Sequence, residues 1–203
     1  DALTTGSYNV VVGHEALSTE DAHGNNVAIG NRALKTLNAG TAGLNTAVGD
    51  DAGTAVTTGI RNTLVGSEAG DALIDADDNV AVGALSLSAD TYGSKSTAIG
   101  RGALKTQDFT TATDAHNTAV GYSAGELVTT GTNNTLVGSL AGDNINTSSS
   151  NTAVGYAALS AENSHGSNTA IGFGTLTVQD AGAVAYNVAV GHNAGAAVNT
   201  GVQ

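Results

Sequence analysis

The chain has 203 residues, with 18 acids against 6 bases and a formal net charge of −12, a balance that disfavours binding to nucleic acid or to an anionic membrane by charge. It contains no Cys, Met, Trp or Pro and only five Tyr and two Phe, so it has no disulfide framework and no thiolate metal site. Its longest apolar stretches are a few residues, too short for a signal peptide or a membrane-spanning helix.

Along the chain, Asn9–Gly13 is the first of eleven near-copies of one short element, seen cleanly as Asn-Thr-Ala-Val-Gly at 45–49, 117–121 and 151–155. The closing glycines are Gly13, Gly30, Gly49, Gly66, Gly83, Gly100, Gly121, Gly138, Gly155, Gly172 and Gly191, at intervals of 17, 19, 17, 17, 17, 21, 17, 17, 17 and 19 residues. A repeat of this length is one coil of a solenoid. With the glycine as position 0, position −1 is Val or Ile in all eleven copies, −2 is Ala except at Val11, Leu64 and Leu136, and −4 is Asn except at Ser96. A β-branched run between Asn and Gly reads as a short strand. Position +3 is Ala except at Ser86 and Thr175, and +4 is always Leu or Gly, which predicts a second strand on the far side of each coil.

One coil cannot bury a core alone, so the copies must stack and turn each position into a ladder. At roughly 4.8 Å per coil, eleven coils make a rod on the order of 50 Å long. The Val/Ile column is expected to face inward, with the Thr at −3 on the same face. Asn suits a left-handed turn, and its amide can hydrogen-bond along the stack. The glycine supplies positive φ or close backbone approach. The expected fold is therefore all-β: a single parallel β-solenoid, or β-roll, over residues 1–203.

A longer period lies over the first. Position +4 runs Leu17, Leu34, Gly53, Gly70, Leu87, Leu104, Gly125, Gly142, Leu159, Leu176, Gly195, two Leu and then two Gly, so blocks of four coils repeat at 70 and then 72 residues. Asp1-Ala2-Leu3 leads to Gly13 as Asp71-Ala72-Leu73 leads to Gly83. Val198–Gln203 matches Val56–Arg61 and Val128–Asn133, and no polar cap is visible at either end, so the expectation is a segment of a longer fibre or a subunit stacking end to end. The extra residues of the long coils fall at one place in each block: Lys35–Leu44, Lys105–His116 and Thr177–Tyr186. Loops on a rigid scaffold concentrate binding residues. Lys35, Thr36, Lys105, Asp108, Phe109, Asp180 and Tyr186 are thus candidate ligand or partner contacts.

Position +1 carries Tyr122, Tyr156, Phe173 and His192 in the later coils, and Tyr156 and Phe173, one coil apart, can stack. Tyr122, Tyr156 and Phe173 are read as an oligomer interface ahead of a sugar-stacking strip. His14, His23, His116, His165 and His192 show no ligand spacing with nearby Cys, Asp or Glu and read as exposed turn residues. Asp75, Asp77 and Asp78 form the densest acidic cluster, but calcium-binding Gly-Gly-x-Gly-x-Asp repeats are lacking, so a solvated turn is expected. There is no Ser/His/Asp elbow, P-loop or paired-carboxylate motif, and no enzyme, metal or cofactor is expected.

The repeated Asn-Thr-Ala-Val/Ile-Gly-x-x-Ala resembles the head repeats of trimeric autotransporter adhesins. It is also similar to repeats, with segments such as Thr4–Asn9, in bacteriophage tail fibres and bacterial surface fibres. The resemblance covers all eleven coils and implies a left-handed β-roll, usually three chains side by side, displayed on a cell or virion surface for attachment. The expected function is a structural and adhesive fibre segment, with a surface receptor or glycan as partner. The alternatives are an end-to-end homopolymeric filament and an ice- or carbohydrate-binding solenoid that uses the Thr column.

Overall fold

The computed structural model describes residues 6–19, 24–163, 165–180 and 183–200; His23, residues 1–5 and 201–203, and two residues of the third long loop, Ala181 and Gly182, lie outside them. The described residues form no helix. Their strands are β1 (Val10–Val12), β2 (Val27–Ile29), β3 (Thr46–Val48), β4 (Thr63–Val65), β5 (Val80–Val82), β6 (Gly93–Ser94), β7 (Thr97–Ile99), β8 (Thr113–Asp114), β9 (Thr118–Val120), β10 (Thr135–Val137), β11 (Thr152–Val154), β12 (Thr169–Ile171) and β13 (Val188–Val190). Eleven of them pair in parallel in the order β1-β2-β3-β4-β5-β7-β9-β10-β11-β12-β13, and β6 and β8 form a separate parallel pair. Register is strict: Thr46 lies opposite Thr63, and Thr135 opposite Thr152. The chain is a parallel β-solenoid, each coil resting on the next.

The facing of the strand differs from the expectation. The middle residue, at −2, points inward: Ala28, Ala47, Leu64, Ala81, Ala98, Ala119, Leu136, Ala153 and Ala170 are fully buried. The Val/Ile column and the Thr column at −3 point outward, with Ile29, Ile99, Val137 and Ile171 each more than a third exposed. Alternation along a strand allows only these two choices. A 17-residue coil encloses too little space for β-branched pairs, so the small residue goes in.

The expected second strand is also absent from the described residues. Its place is taken by turns in which positions +2 and +4 both have positive φ, as at Glu15 (53°) and Leu17 (47°), or Arg32 (56°) and Leu34 (49°). These turns still build a ladder between coils. The +2 amide donates back one coil (Asp51 N to Asn31 O, 2.9 Å), and the +4 amide donates forward (Leu34 N to Ala52 O, 3.0 Å). The backbone groups that a strand would have satisfied are therefore satisfied without one. Ala at +3 and Leu at +4 fill the interior from this side.

The Leu/Gly alternation is a volume exchange. A Cβ on Gly70 would lie 2.8 Å from Leu64 Cδ2 and 2.8 Å from Leu73 Cδ1, so the glycine leaves room for large neighbours at −2 and +7. Apart from the first coil, with Val11 and Leu17, coils with Leu at +4 have Ala at −2, as in Ala28 with Leu34 and Ala98 with Leu104. The glycine at 0 has another reason: Gly66 has φ +139°, and a Cβ there would sit 2.6 Å from the Gly83 carbonyl of the next coil.

The Asn ladder forms as expected. Asn45 Oδ1 accepts the Asn62 amide (2.9 Å), Asn62 Oδ1 the Asn79 amide (3.0 Å), and Asn134 Oδ1 the Asn151 amide (3.0 Å). In five coils the Nδ2 donates to the carbonyl fourteen residues on, as Asn62 does to Ala76 O (2.7 Å) and Asn134 to Ser148 O (2.9 Å), whereas Asn151 Nδ2 turns to Ser148 Oγ (2.7 Å). The left-handed residue is not the Asn, however, but the one before it, including Leu44, Arg61, His116 and Tyr186. The Asn itself lies just before the strand and is buried in every coil between the part-buried Asn9 and Asn187 where it occurs.

Candidate functional site

The outward sheet face is a uniform surface that runs the length of the stack. Its two columns hold Val or Ile at every −1 position, and at −3 seven Thr and four Val, with no charged side chain in either. Charges lie instead on the turns, where they pair from coil to coil. Arg32 bonds Asp51, Lys95 bonds Asp114, and Lys35 Nζ lies 2.7 Å from Glu15, whose carboxyl it holds below the ordinary value. The Asp75–Asp78 cluster is likewise engaged. Asp75 accepts from Thr58 Oγ1 (2.7 Å), Asp77 from the Ile60 amide (2.8 Å), and Asp78 from Arg61 Nε (2.5 Å).

The +1 column stacks in its later coils. Tyr156 and Phe173 have ring centroids 5.2 Å apart, and Phe173 stacks in turn on His192 at 5.1 Å and 6°. Arg101 lies over the Tyr122 ring at 5.9 Å. Tyr122, Tyr156 and Phe173 are each about half exposed, so this strip offers flat aromatic faces to whatever meets it. At the other end of the column His14, Asn31 and Asp50 join by side-chain bonds of 3.2 and 2.7 Å.

The long loops are tied down rather than projecting freely. Thr36 Oγ1 donates to Thr54 O (2.7 Å), Lys105 Nζ is 3.9 Å from Glu126, and Asp108 accepts from Thr91 Oγ1 (2.8 Å). Phe109 corrects its reading as a surface contact: it is 6% exposed, and its amide donates to Asp90 Oδ1 (3.2 Å). Tyr186 stays exposed, and Asp180 is exposed with its amide bonded to Asn199 O (2.9 Å).

Two features escaped the sequence reading. The first is an open groove of about 410 Å³ whose lining includes Arg32, Lys35, Thr36, Asp51, Glu68 and Asp71. Burial, with the nearby Glu68 and Asp51 charges, pushes Asp71 up to about 6, and its Oδ1 has no hydrogen-bond partner. Asp143, one block on, is raised for the same first reason.

The second is a polar plug inside the core. Position +7 is apolar at Leu37, Val56, Leu73, Val128, Ile145 and the partly buried Val198, but in four other described coils it holds Asp90, Gln107, Glu162 and Gln179, all fully buried. Asp90 accepts from the Gly93 amide (2.9 Å), Gln107 Nε2 (2.6 Å) and the Phe109 amide. Burial still raises its carboxyl above the ordinary value. Gln107 also reaches Ser96 Oγ (3.2 Å) and accepts from Asn117 Nδ2 (2.8 Å), bridging the one coil where the Asn ladder has a serine. One block later Asn187 Nδ2 donates to Gln179 Oε1 (2.7 Å). The signal was available: these polar residues accompany Leu at +4.

The chain matches no protein-family model, no curated protein and no solved structure. What it does must be argued from these surfaces. No helix among the described residues is long and apolar enough to cross a membrane.

Proposed function

We propose that the chain is a stiff, non-catalytic segment of an extracellular adhesive fibre, in which copies associate side by side through the outward Thr/Val/Ile face. The observation that carries this reading is the composition of that face. It holds fifteen Val or Ile and seven Thr over eleven strands without a charge, in a chain of net charge −12. A continuous patch of this kind on a soluble chain marks an interface. Burying it against copies of itself yields about 25 cal/mol per Å² of apolar area. Three chains around one axis is the arrangement that the resemblance to autotransporter heads implies. The long loops, through Lys35, Thr36, Lys105, Asp108, Asp180 and Tyr186, and the aromatic column then face outward to a receptor or glycan on the attached surface.

Light scattering on the intact chain and on a Val65→Lys/Val120→Lys double variant tests this. The expected result is a trimer mass for the wild type and a mass near the single-chain 19.7 kDa for the variant, with unchanged circular dichroism. A wild type that runs as a single chain overturns the reading; large polydisperse species favour the end-to-end filament instead.

The outward Thr column gives a specific reason to keep a second reading, an ice-binding face. Thr118, Thr135, Thr152 and Thr169 lie in consecutive strands at one register. Thermal hysteresis of the freezing point that disappears in Thr135→Lys would support it, and its absence in the wild type would end it.

A further inference from the structure

We propose that Glu162, His165 and Asp180 form a binding site for a divalent first-row transition ion, with zinc as the natural probe, that clamps the third long loop to the coil before it. Glu162 and His165 belong to the coil that follows Gly155, and Asp180 to the coil that follows Gly172. One ligand atom from each, two carboxylate oxygens and an imidazole nitrogen, lies within 4.8 Å of the other two.

His165 Nδ1 is a buried atom without a hydrogen-bond partner, and it lies 3.9 Å from Glu162 Oε1. That distance is too long for a hydrogen bond. It is close to the separation of two ligands on one ion, about 3.4 Å for tetrahedral bonds of about 2.0–2.1 Å, so closure requires shifts on the order of 1 Å. The Glu162 side chain is completely buried, accepts the His165 amide at 3.0 Å and meets Asn168 Nδ2 at 3.4 Å.

The preceding block supplies an internal control. Residues 90, 93 and 108 occupy the equivalent places and are Asp, Gly and Asp. There the shorter Asp90 is satisfied by amide donors, no imidazole is present, and Asp108 accepts from Thr91. Lengthening Asp to Glu and replacing Gly by His places an imidazole beside the two carboxylates. The sequence repeats this Glu-x-x-His at Glu20 and His23, in the same phase of the first block.

The donor set chooses the ion. Imidazole favours zinc and its neighbours over magnesium or calcium. Calcium would want six or more oxygens, which three side chains do not provide. Asp180, at the solvent edge, leaves a side open for water as a fourth ligand.

Titration of the metal-stripped full-length chain with zinc chloride, read by calorimetry and by the imidazole nitrogen resonances, tests the site. Expected are saturable binding that falls by one equivalent per chain in His165→Ala, weakens at least tenfold in Asp180→Asn, and shifts the His165 Nδ1 resonance specifically. The thermal midpoint should also rise with zinc in the wild type and not in His165→Ala. His165 and Asp180 are partly or fully exposed, so both variants should fold, and circular dichroism checks that they do. Binding that is absent in the wild type, or unchanged in stoichiometry in His165→Ala, overturns the proposal.

Discussion

Asp71 stands out among individual residues because its burial acts against its charge. The groove holds it half-buried with one oxygen unpaired, and its carboxyl is pushed from 3.8 to about 6. The folded chain therefore binds this proton more tightly than the unfolded chain does. Stability rises as pH falls through the window from about 6 to 3.8 and is lower above it. Asp71→Asn should raise the thermal midpoint at pH 7 by on the order of 2 °C, a figure kept small because much of the group still meets water. The gain should vanish below pH 3.8, and calorimetric scans at both pH values check this. Asn and Gly could be assigned their jobs from the sequence because each has one dominant talent: an amide that bonds along a stack, and a missing Cβ. Asp90, Glu162 and Gln107 could not. A polar residue in a turn-rich repeat looks solvated until the coil is closed around it.

At the scale of the coil, strand positions were legible and strand facing was not. Period and β-branching located every three-residue strand of the main sheet, but alternation alone leaves two choices of inward side. The reading that Val and Ile belong inside fails here because the interior is only as wide as Ala or Leu. The second strand failed for a related reason: a short apolar patch of Ala and Leu also fits a pair of left-handed turns whose amides still reach the neighbouring coils. Packing inside the coil makes a pairwise prediction. Gly70→Leu should destabilise the fold by roughly 2–3 kcal/mol through collision with Leu64 and Leu73, an overpacking cost. Adding Leu64→Ala should recover at least about 1 kcal/mol, a coupling that denaturant titration of the two single variants and the double variant would measure. Additive losses would refute the volume exchange.

For the molecule as a whole, the four-coil block is the unit that matters. Gly49 and Gly121 are equivalent, so removal of residues 50–121 joins like to like and deletes β4, β5, β7 and β9 together with the small β6/β8 pair. In a stack governed by nearest-neighbour contacts this shorter chain should fold, with a sharp but lower thermal transition. Removal of eight residues from within one block should instead throw later strands out of register and lose cooperativity, as circular dichroism melts would show. The chain's function was legible only as far as its architecture, because the uncharged face, the loops and the proposed metal clamp are properties of columns rather than of any contiguous motif.

The backbone hydrogen bonds that join coil to coil run along the direction of stacking, so an axial pull loads them in tension and each interface carries the same force as every other. Such a chain behaves as a series of shock absorbers. Rather than failing at once, it should give way one coil at a time, each released 17-residue coil paying out roughly 58 Å of slack before the next is strained.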